Sequence, residues 1–279
     1  MTPFRHANTD TFPLPQRAGI QFFRQVSRAT LGVFGGFGKR VLFLRDLWRA
    51  FGEPRTYLPL VIPQMRSMGV GSVPLAVMVA SFLGGVIALQ MRYQLFPGIQ
   101  LSIIGLSVRQ IVVLETGPLL TGLVLAGRVG AKMTAEIGTM RVTEQIDALE
   151  TLAYDPVAYL VVPRLIACVL MLPLLTILAN ISGVVMGMVS VVVLTDVQVS
   201  QYVEGVRLGY DQFQVTYSLI KATFFGAAIA YLCAFEGYST EAGAEGVGRA
   251  TAKAVVISSA WILTLDALTA FLLAPYLQG

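Results

Sequence analysis

Four charged residues stand inside apolar stretches of this sequence, where an ionisable side chain is costly to place. They are Arg109, Glu115, Lys221 and Asp266. Charges in such positions pair with one another or bind a substrate, so each one suggests a functional hypothesis. The sequence alone leaves both alternatives open. For Lys221 a third is possible, in which the side chain extends along the helix so that its ammonium reaches the membrane interface. The role of Asp266 is not assigned.

The residue types required for most hydrolytic and metal chemistry are scarce. His6 is the only histidine and lies in a polar leader, which argues against a histidine-based catalytic centre or metal site in the apolar segments. The segment GGFGKR at 35–40 resembles a phosphate-binding loop only superficially, because Val33 replaces its first glycine and Arg40 replaces the Ser/Thr that binds magnesium. Cys168 and Cys233 lie in apolar runs and are predicted to be small buried residues without a disulfide. The chain is therefore predicted not to be an enzyme and to hold no cofactor or metal.

The composition places these residues in a membrane protein. Of 279 residues, 55% are hydrophobic and 13% are charged, with a mean hydropathy of +0.70. A soluble domain carries about 25% charged residues. Residues 1–66 contain ten Lys/Arg and three Asp/Glu, which predicts a cytoplasmic N-terminus. Because these basic residues are interleaved with Phe, Leu and Val, a membrane surface is favoured over nucleic acid as their partner.

The apolar pattern predicts an all-α, polytopic fold. Residues 1–16 are predicted to be a disordered lead, and 17–55 an amphipathic helical region at the membrane interface; the alternative is a solvated helix packed on protein. Residues 56–279 form the predicted membrane domain. A transmembrane helix needs about 20 apolar residues. Four segments meet this requirement directly: about 73–96, 106–126, 215–235 and 255–273.

The segment 156–195 is too long for an ordinary span. Its nearly 40 apolar residues are either a hairpin of two spans or one long broken helix, with Pro173, Asn180 and Gly183 as candidate breakpoints. If the segment is one long helix, the chain has five spans and its C-terminus lies outside. The polar loops 127–155 and 236–254 then both lie in the cytoplasm. We adopt five spans as the prediction.

Loop 127–155 carries too many charges to span a membrane but has helical periodicity. Met133, Ile137 and Met140 lie on one predicted apolar face, with Ile146, Leu149 and Leu152 farther along. Such a helix either docks on a partner protein or packs on its own membrane domain.

Two stretches carry a resemblance to a known family. They are ETGPL at 115–119, continuing in LAGRVGAKMTAEIGTMRVTEQIDALE at 125–150 and closing on Asp155 and Pro156, and GAEGVGRATAKAV at 243–255. Together they closely resemble the MlaE permease family of ABC transporters, and the likeness extends over most of 50–275. The resemblance implies a homodimer in the bacterial inner membrane that pairs with two ATPase subunits and a periplasmic ring of MCE-domain proteins. It implies phospholipid or another hydrophobic molecule as substrate, moved between the inner and outer membranes, with ATP and Mg bound in the partner ATPase.

The resemblance also implies roles for individual residues. Residues 131–150 would be a coupling helix that docks on the ATPase, with the apolar anchors and charged rim Met133, Ile137, Met140, Glu136, Arg141, Glu144 and Asp147. Glu115 and Lys221 match an acidic and a basic residue near the lipid cavity of the family, where Lys221 would contact a lipid phosphate. The family arginine before the glutamate is replaced here by Leu114, and Arg109 lies six residues before Glu115. Residues Leu75, Val79 and Phe82 are candidates to line the cavity; ordinary packing or lipid contact is the alternative.

Two other functions remain possible from the sequence. An ion-coupled secondary transporter would use Glu115, Lys221 and Asp266 as a relay, although no internal repeat of the kind such folds show is apparent. A membrane scaffold that does not transport would recruit a cytoplasmic partner through 127–155.

Overall fold

The computed structural model describes residues 38–241, 243–273 and 275, and divides into two compact units, Met1–Arg49 and Ala50–Gly279. In the first unit, the described residues 38–49 are helical (α1), and Leu42, Leu44 and Trp48 are exposed. The lead at 1–16 and most of the predicted interfacial region 17–55 lie outside the described residues, so the interfacial position stays a prediction.

The second unit is helical throughout, with no strand among its described residues. Its helices, in chain order, are α2 Pro54–Met68, α3 Val73–Gln94, α4 Ser102–Gln110, α5 Gly117–Leu125, α6 Ala131–Val142, α7 Gln145–Thr151, α8 Val162–Leu194, α9 Val199–Arg207, α10 Gln212–Tyr238 and α11 Ala244–Leu273.

Five helical segments in the described part of the chain are long and apolar enough to cross a membrane, which confirms the predicted all-α polytopic fold. They are Pro54–Gln94, Ser102–Val142, Val157–Leu194, Gln212–Tyr238 and Ala244–Leu273. The segment 156–195 is a single helical element and not a hairpin. Pro173 lies inside the continuous helix α8, as do Asn180 and Gly183, so none of the three candidate breakpoints ends it.

The second span differs from its prediction because it does not end near residue 126. Helices α4, α5 and α6 form one continuous element of 41 residues through Val142, joined by π-helical turns at Ile111–Thr116 and Ala126–Gly130. The predicted 131–150 helix is two helices, because Glu144 has a left-handed backbone (φ 60°) between α6 and α7. The polar sequence at 127–142 is therefore an extension of the span and not a separate loop.

Helices α3 and α8 pack through small residues. Ala76, Ala80, Gly84, Gly85 and Ala88 form the buried face of α3. A Cβ atom at Gly84 would overlap the carbonyl oxygen of Gly183 in α8. Side chains this small let two helix backbones approach closely, as is common for helices within membranes.

Among the five spanning segments, α10 has the largest buried share, and it packs against α5, α6, α8 and α11. Its start is fixed by Asp211, whose side chain accepts a hydrogen bond from the backbone N–H of Phe213. Such a cap satisfies one of the free donors at a helix start.

The contacts define two ends of the helical unit. At end A lie the connection 143–156 and residues 239–241, where a Cβ at Gly138 would meet the Thr240 side chain. At end B lie the connections 95–101 and 195–211, where Arg92 and Asp196 form an ion pair of 2.7 Å.

Candidate functional site: a charge cluster between three spans

Lys221 lies at the centre of a cluster formed by three different spanning segments. Its ammonium donates a hydrogen bond of 2.6 Å to Glu115 Oε2 and forms an ion pair of 2.9 Å with Asp266 Oδ1. It also donates to the backbone carbonyl of Leu114 at 3.4 Å and lies 4.8 Å from the ring centroid of Tyr217. Of the alternatives that the sequence left open, the structure therefore shows pairing for three of the charges, and Lys221 contacts both carboxylates.

The members of the cluster differ sharply in exposure. The Lys221 side chain is 0% exposed, that of Asp266 is 17% exposed, and that of Glu115 is 47% exposed. Glu115 is thus the face of the cluster that an external molecule can reach. Its second oxygen, Oε1, accepts a hydrogen bond of 3.4 Å from the Tyr217 hydroxyl.

Glu115 is positioned by the π-helical turn Ile111–Thr116 in the second span. Such turns are rare in helices and occur frequently at functional sites. Gly117, which follows the turn, lies close against α8, where a Cβ at this position would overlap Asn180 Oδ1. The glycine therefore lets the turn that carries Glu115 approach α8, and α10 brings Lys221 to it from the other side.

A second buried polar contact lies one turn from Lys221 on α10. The Asn180 amide donates a hydrogen bond of 3.1 Å to Ser218 Oγ, and the Ser218 side chain is fully buried. Because a buried polar group costs free energy unless it is hydrogen-bonded, this pair fixes α8 against α10 next to the cluster.

Arg109 does not belong to this cluster, contrary to its prediction as a substrate-binding residue. It is 3% exposed and donates hydrogen bonds to Gln214 Oε1 at 2.7 Å and to the carbonyl oxygens of Leu208 and Gly209 at 3.0 and 3.2 Å. The guanidinium also lies 5.6 Å from the Tyr210 ring centroid. Through these contacts Arg109 holds the α9–α10 connection against α4 at end B.

The proposed cavity residues of α3 lie off its buried face. Leu75 and Val79 are partly buried, and Phe82 is 66% exposed. In the isolated chain Phe82 faces outward and does not line an enclosed cavity. A role in substrate binding stays a prediction for these three residues.

Two of the predicted coupling anchors are buried within this chain. Met133 and Ile137 are both 0% exposed, and α6 packs on α10 and α11. This corrects their prediction as anchors on a partner, because their side chains already fill the interior of their own unit. Met140 is partly buried. Downstream of α7, Leu152 and Tyr154 are large, 68% and 51% exposed, and lie at the same end.

The predicted charged rim forms internal contacts at end A. Arg141 pairs with Asp147 at 2.6 Å across the α6–α7 bend, and Glu136 accepts a hydrogen bond of 3.2 Å from the buried Arg164. The Glu144 side chain is exposed. Arg141 therefore holds the bend in place, while Glu144 is accessible to a partner.

Several residues of the site lack an obvious sequence signal. Tyr217 was not predicted, although its position four residues before Lys221 places it on the same face of α10. Glu236, 4% exposed and 2.8 Å from Lys253, and Arg164, 7% exposed, were also missed. Glu236 lies where an apolar segment meets the polar loop 236–254, whereas Arg164 lies inside the apolar segment 156–195 and could have been identified in the same way as the other charges.

The spans that carry the charge cluster lie within a match to a known family. A family model described as "Permease MlaE" matches residues 61–272. The chain belongs to the MlaE permease family. The match includes Glu115, Lys221 and Asp266, so the whole cluster lies within the part of the chain that defines an MlaE permease.

Relatives from different organisms extend this finding. A "Probable ABC transporter permease protein" of Rickettsia felis is 42% identical over 248 residues, covering 88% of this chain and 94% of the relative. A probable ABC transporter permease protein of Synechocystis is 40% identical over 197 residues, covering 71% of this chain and 75% of the relative. The "Intermembrane phospholipid transport system permease protein MlaE" of Haemophilus influenzae is 33% identical over 253 residues, covering 88% and 91%.

Proposed function

We propose that this MlaE permease is the membrane subunit of an ABC transporter that moves phospholipid between the inner and outer membranes of a bacterium. The observation that carries the proposal is the similarity over 88% of the chain to the phospholipid transport permease of Haemophilus influenzae. The cluster of Lys221, Glu115 and Asp266 lies between three spans, with Glu115 accessible from outside. A polar group of this kind in a membrane is suited to bind a lipid headgroup.

The energy for transport would come from a separate ATPase subunit that binds ATP and Mg. The docking surface on this chain would lie at end A. Because Met133 and Ile137 are buried, they would not contribute to it. Exposed Leu152 and Tyr154 would supply the apolar anchors, and exposed Glu144 the charged rim. Apolar anchors surrounded by a polar rim are typical of protein interfaces.

The orientation and the other partners follow from the same proposal. By the positive-inside rule, the basic residues of 1–66 would put the N-terminus in the cytoplasm. The first span would then run outward from end A, so that end A would face the cytoplasm and the C-terminus the periplasm. A second copy of the chain and a ring of MCE-domain proteins would complete the transporter. The large exposed apolar residues of α11, among them Trp261 and Phe271, are available to lipid or to such a partner.

The test is ATP-dependent lipid transfer by the complex purified under mild conditions. We expect an ATPase and an MCE-domain protein to co-purify with the chain, and fluorescent phospholipid to move between donor and acceptor vesicles only with ATP. Leu152→Asp combined with Tyr154→Asp should abolish ATPase co-purification. Leu208→Asp, at a residue 52% exposed at end B, is the matched control and should leave it unchanged.

Two outcomes would contradict the proposal. Transfer that continues without ATP and stops with a protonophore would show an ion-coupled carrier. A partner that co-purifies while no lipid moves under any condition would show a scaffold.

A further inference from the structure

We infer that the Glu115 carboxylate binds the ammonium group of an amine-bearing, zwitterionic phospholipid headgroup, and that the cluster discriminates against anionic headgroups. The inference rests on the proposed function and adds the substrate class. It replaces the expectation that Lys221 binds a lipid phosphate.

Lys221 lies among acceptors of its own chain and is closed to an external phosphate. A lysine ammonium has three N–H donors. Here they face Glu115 Oε2 at 2.6 Å, Asp266 Oδ1 at 2.9 Å and the Leu114 carbonyl at 3.4 Å. The side chain is also 0% exposed. A phosphate would have to displace one of these carboxylates and enter the interior before it could contact the ammonium.

The charge of the cluster points in the same direction. One ammonium faces two carboxylates, so its formal charge is −1. Among the described cationic residues, Lys221 alone lies within ion-pair distance of Glu115 or Asp266. Two other buried cations of the spanning segments make their contacts elsewhere, Arg109 with Gln214 and Arg164 with Glu136. An anionic headgroup would add a negative charge to a site that already has an excess of it.

Glu115 offers what a cationic headgroup needs. Its side chain is 47% exposed, Oε2 accepts from Lys221, and Oε1 has only a long contact of 3.4 Å with the Tyr217 hydroxyl. A carboxylate can accept about four hydrogen bonds. Lone pairs therefore remain for a primary ammonium, and the contact would be a charge-assisted hydrogen bond, which is stronger than one between neutral groups.

The choice between lipid classes can be measured directly. The intact complex is reconstituted in nanodiscs with equal amounts of phosphatidylethanolamine, phosphatidylcholine and phosphatidylglycerol, and the lipid retained after extraction into detergent is measured by mass spectrometry. We expect phosphatidylethanolamine to be enriched over phosphatidylglycerol by roughly tenfold, as one charge-assisted hydrogen bond predicts. Phosphatidylcholine should fall between them, because it keeps the positive charge but has no N–H donor.

Variants assign the effect to Glu115. Glu115→Gln should abolish the enrichment, and Glu115→Asp should retain most of it. The fold should survive both changes, since Lys221 keeps its ion pair with Asp266; an unchanged melting temperature checks this. Glu204→Gln, at an exposed carboxylate of α9 outside the cluster, is the control and should behave as wild type.

The inference fails if phosphatidylglycerol is retained as well as phosphatidylethanolamine, or if Glu115→Gln keeps the wild-type preference. Its failure is separable from that of the proposed function. ATP-dependent transfer of all three lipids at equal rates would overturn the headgroup preference and leave the transporter intact. Absence of ATP-dependent transfer of any lipid would overturn the transporter, while the retained lipid would still report the preference.

Discussion

Replacing Lys221 by methionine leaves the Glu115 and Asp266 carboxylates without the ammonium that lies between them. Removing one partner of a buried ion pair costs about 3–5 kcal/mol. Because Glu115 is 47% exposed, water compensates part of its loss, whereas Asp266 is only 17% exposed. Most of the cost should therefore arise at Asp266, and we expect the lower end of this range, about 3 kcal/mol.

The assay is thermal unfolding of the purified chain in one detergent. For a chain of this size, about 1 kcal/mol shifts the melting temperature by roughly 2–4 °C, so Lys221→Met should lower it by roughly 6–12 °C. Adding Asp266→Asn should recover most of this loss, and adding Glu115→Gln should recover less, following the order of exposure.

The matched control is Lys132→Met. Lys132 is 53% exposed and lies 3.8 Å from Glu136, which is 40% exposed. An exposed pair contributes about 0–1 kcal/mol, so this change should shift melting only slightly. The reasoning is refuted if Lys221→Met melts within about 2 °C of wild type, the smallest shift expected for a loss of 1 kcal/mol. It is also refuted if Glu115→Gln rescues the variant better than Asp266→Asn.

Two further predictions concern the rest of the helical unit. At end B, the hydrogen bond from Arg92 holds the pKa of Asp196 below its usual range, so this contact contributes stability at neutral pH that is lost as the pH falls through the lowered pKa. Between pH 7 and pH 3 the melting temperature of wild type should therefore fall farther than that of Asp196→Asn, and equal falls would contradict the assignment. Between α3 and α8, Gly84→Ala should destabilise the protein by about 1–3 kcal/mol, because the added methyl group overlaps a backbone oxygen. Gly127→Ala, where nothing lies within 4 Å of the added atom, should show no such loss in the same unfolding measurement.

The number of spans could be predicted because it depends on local composition. Apolar length identified four spans and left 156–195 open as one span or two, and the adopted prediction of five agrees with the five segments in the described part of the chain. That 156–195 contains a single continuous helix was harder to predict, since Pro173 interrupts its apolar sequence. Proline is tolerated in a membrane helix when neighbouring groups compensate for the lost hydrogen bond, so its presence does not determine a break.

The residue types of the site could be predicted, but the sequence did not decide between pairing among the charges and substrate binding. Glu115 and Lys221 were recognisable as charges in apolar segments, but their contact joins positions 106 residues apart and depends on how α10 meets a π-helical turn. The apolar face of α6 was also recognisable, yet periodicity cannot tell whether Met133 and Ile137 cover their own helices or a partner. Arg109 was misassigned because its long side chain reaches a connection that the sequence does not place beside it.

The π-helical turns Ile111–Thr116 and Ala126–Gly130 also determine where related genes can gain or lose single codons. A π turn holds about one residue more than an α turn, so losing that residue can convert it into an α turn while the helix beyond it keeps its orientation. A single-residue change in the regular helix α5 between the two turns would instead rotate everything beyond it by about 100°. Single-residue length changes among relatives are therefore expected to concentrate at these two turns.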